Sequence, residues 1–184
     1  MVYREKLMED AETFGREKFA SSIRELEKEY RKEERRKAVT EVFAGLFRRW
    51  GQQTDREAAS LGICYLHRAI RMRTGELRLT LYGKEFYMDR EPVETVWSPL
   101  IFFERYEQDM EEITKQLKKR HPRIYRYEEE AVRLRYAEYY YAALESLCRD
   151  MLEEIRSSRE YMELKRTEDF FMFFGKWRGE AVKL

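Results

Sequence analysis

The chain has 184 residues, 43% hydrophobic and 40% charged, with 37 Lys and Arg against 36 Asp and Glu for a net charge of +1. This length corresponds to one domain spanning 1–184, and an aromatic content of 15% excludes a disordered chain. The balanced charge weighs against a dedicated nucleic-acid binder. No apolar run approaches the roughly 20 residues of a membrane span, and Met1 to Phe14 contains no signal-peptide core, so no membrane contact and a cytoplasmic location are expected.

The first segment, 1–50, places Tyr3, Leu7, Ala11, Phe14, Phe19, Ile23, Leu26 and Tyr30 at steps of mostly three and four. This is the spacing of a helix with one buried stripe. Gly15 marks a position where that helix could bend. The run Arg31 to Lys37 carries no apolar residue and is either solvated helix or a junction. Val39, Val42, Phe43, Leu46, Phe47 and Trp50 resume the stripe, and Gly51 suits a helix stop. Thr54 and Glu57 fit a capping box, which predicts a helix over 54–74 carrying Ala58, Leu61, Tyr65, Ala69 and Met72 on one face.

Residues 76–97 change period. Leu77, Leu79 and Leu81 alternate with Arg78, Thr80 and Tyr82, and Gly83-Lys84 suits a two-residue turn. The spacing predicts a β-hairpin over about 76–90, with Leu81 opposite Phe86 and Leu79 opposite Met88. Val93 to Trp97 could add a short strand. Ser98-Pro99 opens a helix over 99–120, which ends in Lys118-Lys119-Arg120 and is broken by His121-Pro122. A long stripe from Ile124 to Ile155 predicts a helix over 123–157, about 52 Å long at 1.5 Å per residue. In the segment 158–184, Phe170 to Phe174 reads as a short helix or a buried strand. The fold class these patterns predict is mainly α: a helical bundle with one inserted β-hairpin.

Candidate chemistry is sparse. Cys64 and His67 fall three apart on the predicted 54–74 helix, where a thiolate–imidazole pair is conceivable, although a core cysteine beside a partly exposed histidine explains both. Glu138 and Glu145 flank the long stripe and are more simply read as solvated carboxylates. No metal-ligand spacing and no phosphate loop occur, so no metal, no cofactor and no catalytic residue is assigned, and the chain leans away from being an enzyme.

The basic residues are 25 Arg and 12 Lys, accompanied by 13 Tyr, a supply of the side chains favoured at interface hot spots. One cluster, Lys118, Lys119, Arg120, Arg123 and Arg126, interleaves Tyr125 and Tyr127. A second, Arg68, Arg71, Arg73 and Arg78, could join it in a basic groove. Tyr139, Tyr140 and Tyr141 sit ~100° apart around a helix, so one of them should lie near a surface.

The candidate interaction residues are therefore Tyr139, Tyr140, Arg120, Arg123, Tyr125 and Arg126. The expected function is a non-catalytic protein-interaction module, an adaptor, inhibitor or immunity-like protein of bacterial or phage type, with a protein partner or self-association. The alternative is a nucleic-acid-associated helical protein, or a small subunit of a larger assembly, using the 118–126 cluster.

Overall fold

The structure is a computed structural model and describes residues 2–184, with side chains from Arg4 onward. The side chain of Tyr3, the first member of the predicted stripe, thus lies outside the described residues. The chain divides into two compact units, one of residues 1–30, 67–75 and 99–144, the other of residues 31–66, 76–98 and 145–184.

In the first unit, helix α1 (Val2–Tyr30) lies beside α4 (Leu100–Arg120), with the short α3 (His67–Arg71) and the N-terminal part of α5 (Arg126–Asp150). α1 runs unbroken through Gly15. A Cβ there would lie 3.0 Å from the Tyr136 ring of α5, so the glycine permits close helix packing and does not bend the chain. Much of each predicted stripe is buried: Leu7, Ala11 and Leu26 of α1, Tyr106, Met110 and Ile113 of α4, and Ala137, Tyr141 and Leu144 of α5, whereas Tyr127, placed in the same stripe from its spacing, is 56% exposed.

The second unit overturns the predicted fold class. The chain is 62% helical but carries a five-stranded mixed sheet, so it is an α/β fold and not a mainly α bundle with one hairpin. The strands are β1 (Ala58–Tyr65), β2 (Leu77–Tyr82), β3 (Val93–Trp97), β4 (Arg166–Lys176) and β5 (Ala181–Lys183), in the order β3-β2-β1-β4-β5. β1 runs parallel to β4, and the other neighbours are antiparallel.

Three predicted elements change. The first is the 54–74 helix, whose beginning is β1. β1 is nearly all buried, so its sequence is a short apolar run without alternation, which periodicity cannot distinguish from buried helix. Thr54 does not cap a helix there. It ends α2 (Glu33–Gln53), its N–H donating to Trp50 O at 3.0 Å, and its Oγ1 accepts from Arg56 N–H at 3.2 Å. The second is the 76–90 hairpin. β2 stands where predicted, but its partner is β3, with Leu81 opposite Val93 and Leu79 opposite Thr95. Residues 83–92 form a loop with a single 3₁₀ turn at Phe86–Met88. The third is the 123–157 helix, which is α5 followed by α6 (Leu152–Ser157). Hydrogen bonds from Met151 N–H to Leu147 O and from Ile155 N–H to Met151 O carry the ladder across the interruption.

Register assigns the two sheet faces. Leu61, Ile63, Leu79, Leu81, Met172 and Phe174 share one. Helix α2 and α7 (Arg159–Glu163) supply aromatic packing on that side, with Phe43 and Trp97 rings 5.9 Å apart and Phe47 and Tyr161 rings 5.5 Å apart. The opposite face carries Ser60, Gly62, Cys64, Thr80, Tyr82, Phe171 and Phe173. There Tyr82, Phe173 and Cys64 form a small core, with Phe86, Tyr87, Phe171 and Trp177 packed against it half-buried.

Candidate interaction site

The corner between α4 and α5 gathers four of the six residues singled out from the sequence. α4 ends on Lys118, Lys119 and Arg120, cations placed where its carbonyls concentrate negative charge, and His121 N–H caps Leu117 O at 2.7 Å. α5 begins at Arg126. Its N-cap is Tyr125, whose backbone N–H donates to the Glu128 carboxylate at 2.9 Å, the reciprocal half of a capping box. Glu128 is buried while doing so, which fixes the backbone at Tyr125.

The outcome is an exposed aromatic pair. Tyr125 and Tyr127 are 50% and 56% exposed, and their rings stack 5.7 Å apart at 9°. The Arg4 guanidinium lies 5.9 Å from the Tyr127 ring. Lys118, Lys119, Arg120, Arg123 and Arg126, from the end of α4 to the start of α5, are all exposed.

Arg120 is the anchored member of the set. It donates to Asp10 Oδ1 at 2.8 Å and its guanidinium lies 4.8 Å from the Phe14 ring. Asp10 also pairs with buried His121 at 2.8 Å. The hydrogen bond with His121, and after it the contact with Arg120, hold the Asp10 carboxyl below its ordinary value against the opposing effect of burial. This triad ties the end of α4 to α1.

The second basic cluster joins the first only in part. Arg73 and Lys118 line one cleft of about 350 Å³ together with Lys115 and Arg133. Glu107, Glu111 and Glu129 line it as well. Glu107 accepts from Arg133 and lies 3.8 Å from Arg73, and nearby Arg71 pairs with Glu130 at 2.7 Å. The cleft is thus of mixed charge and not the purely basic groove that a phosphate backbone needs. Arg78 belongs to β2, in the other unit.

The three consecutive tyrosines divide between core and surface. Tyr140 is fully buried and so cannot meet a partner. Tyr139 is half-buried, its ring 5.3 Å from Phe19. Tyr140 and Tyr136 both donate to Asp109 Oδ2, at 2.6 and 2.7 Å, while Ser22 Oγ donates to Oδ1 at 2.9 Å. Burial first, and the neighbouring Asp109 with it, pushes both phenols far above the ordinary tyrosine value. Asp109 was not singled out from the sequence. The available signal was an acid at a stripe position, three after Tyr106 and one before Met110.

The remaining candidates carry no reactive geometry. Cys64 lies on β1 and His67 opens α3, so they do not share a helix face. Burial pushes the Cys64 thiol up to about 12 and also raises Cys148, the reverse of nucleophile activation. Glu145 pairs with Arg149 at 2.9 Å, and Glu138 is exposed. Among the described residues no group of three or more His, Cys, Asp or Glu side chains is placed to hold a metal, and no helix is long and apolar enough to cross a membrane. No protein-family model, curated protein or solved structure matches this chain.

Proposed function

We propose that this chain is a non-catalytic protein-interaction module, of the adaptor, inhibitor or immunity type, that engages an acidic protein surface through the α4–α5 corner. The single observation behind this reading is the Tyr125–Tyr127 pair, stacked and about half exposed, in a stretch of chain whose arginines and lysines are also exposed. Tyrosine brings large contact area at low cost in side-chain entropy, and arginine forms bidentate bonds to carboxylates. Together they make the composition of a binding hot spot.

Affinity capture from host lysate, after nuclease treatment, tests the reading. The intact chain is compared with a Tyr125→Ala, Arg123→Glu, Arg126→Glu variant. A partner retained by the intact chain and lost from the variant supports the proposal. The same set of proteins on both would refute it.

A second reading has its own observation. Two near-parallel exposed rings flanked by cations also suit unpaired bases of a nucleic acid, as in a nucleic-acid-associated subunit. The chain's net charge of +1 favours the protein partner. Complexes that vanish on nuclease treatment would decide for the nucleic acid.

A further inference from the structure

The sheet of the second unit has one face on which α2 and α7 pack, through Phe43 on Trp97 and Tyr161 on Phe170. The opposite face carries an aromatic row built from two separate pieces of chain. Phe171 comes from β4, Phe86 and Tyr87 from the loop between β2 and β3, and Trp177 from the turn after β4. Successive ring centroids are 6.5 Å apart from Phe171 to Phe86, 4.2 Å from Phe86 to Tyr87, and 6.1 Å from Tyr87 to Trp177. All four residues are partly buried and keep some solvent exposure, and beneath them the buried Tyr82 and Phe173 close the row against the sheet.

The row is held in place from both ends of the loop. Asp89 accepts from Gly83 N–H at 2.6 Å and from Arg56 at 2.8 Å, while Arg56 also donates to Glu91 O at 2.7 Å. Trp177 is pinned by its backbone N–H, which donates to Tyr65 O at 3.1 Å. Gly62 makes the floor thin enough for this packing, since a Cβ there would meet the Phe173 ring at 2.6 Å.

Cations lie over the rings at the two ends of the row. Lys183 Nζ lies 5.4 Å from the Phe171 ring, and Arg78 and Arg178 lie 4.6 and 5.8 Å from the Trp177 ring. Glu94 lies 3.7 Å from Arg78, and Asp89 of the same loop pairs with Arg56. Lys183 and Arg178, both exposed, supply positive charge at the two ends of the row, which complements an anionic ligand.

We propose that this sheet face binds single-stranded nucleic acid, with unpaired bases stacking on Phe171, Tyr87 and Trp177 and the sugar-phosphate chain running past Lys183, Arg78 and Arg178. Rings that any base can stack on, beside cations that track phosphates, are the two requirements for sequence-tolerant binding of unpaired strands. The proposal does not rest on the α4–α5 corner and survives the failure of that reading.

The test uses the full chain and a fluorescein-labelled oligothymidylate of about 20 nucleotides, in low salt, with the matching duplex as control. Trp50 and Trp97 are 0% and 4% exposed, so quenching of tryptophan emission on binding reports Trp177. The expected result is binding of the single strand with quenching, weakened about tenfold by Tyr87→Ala or Phe171→Ala and restored by Tyr87→Phe. Trp177→Phe should keep most of the affinity and abolish the quenching. Should Tyr87→Ala fail to fold, the surface pair Arg178→Glu and Lys183→Glu carries the same expectation and should flatten the salt dependence. Absence of binding in low salt, or equal binding of duplex, would overturn the proposal. So would binding that survives these variants but disappears with Arg123→Glu and Arg126→Glu, or a nuclease-resistant protein complex that Tyr87→Ala dissolves.

Discussion

Replacing Asp109 with alanine removes the acceptor for three buried hydroxyls, those of Ser22, Tyr136 and Tyr140, at 2.9, 2.7 and 2.6 Å. Arg105 Nε, 3.4 Å from the same carboxylate, donates to Ser22 Oγ at 2.9 Å and keeps that bond. Each buried donor left without an acceptor costs roughly 1–3 kcal/mol, and partial re-pairing between the two tyrosines recovers some of it. The expected loss is about 3–6 kcal/mol, a large share of the ~5–15 kcal/mol that holds a domain together. Tyr140→Phe alone leaves the carboxylate with its other partners and should cost about 1–2 kcal/mol. Urea denaturation followed by far-UV circular dichroism near neutral pH measures each variant. In the Asp109→Ala background, Tyr140→Phe should cost less than it does alone, because the bond it deletes is already gone. A loss below about 1 kcal/mol for Asp109→Ala, or strict additivity of the pair, would refute the view that this carboxylate organises the first unit.

Gly75 has φ +59° and an added Cβ would sit 2.1 Å from the Phe103 ring. Gly75→Ala should therefore destabilise by about 2–4 kcal/mol in the same denaturation assay. Gly45 in α2 has nothing within 4 Å of an added Cβ, so Gly45→Ala should raise stability by up to about 1 kcal/mol. Burial raises the phenols of Tyr106, Tyr136 and Tyr140 above their ordinary value of 10.0. A raised folded-state value means stability is complete below the unfolded value and drains away as pH climbs past it. Thermal melts should thus lose midpoint steeply above about pH 10, and a flat alkaline limb would contradict this. Asp89→Ala removes the acceptor shared by Gly83 N–H, Glu91 N–H and Arg56, so hydrogen exchange in residues 83–91 should accelerate while β1 stays protected.

The long helices were legible because each buries one stripe and exposes the rest. α4 spans Leu100–Arg120 against a predicted 99–120, and the charged run at 31–37 contains the junction between α1 and α2. Of the proposed site, the exposure of Tyr125 and Arg126 follows from their place outside any apolar stripe. Tyr140 was misread because it lies on the buried face of α5, where its phenol needs Asp109, a partner 31 residues away in the chain.

Local spacing by itself thus determined the rods, the β2 strand and the absence of a helix-wide apolar belt. Only tertiary structure decided that Ala58–Tyr65 is a strand. Its parallel partner, β4, lies about a hundred residues on, and a segment buried on both sides carries no alternation to announce itself. The same long-range pairing set Phe171 and Trp177 beside Tyr87, a row that no stretch of sequence contains, because aromatic side chains from distant segments become neighbours only when the sheet aligns them.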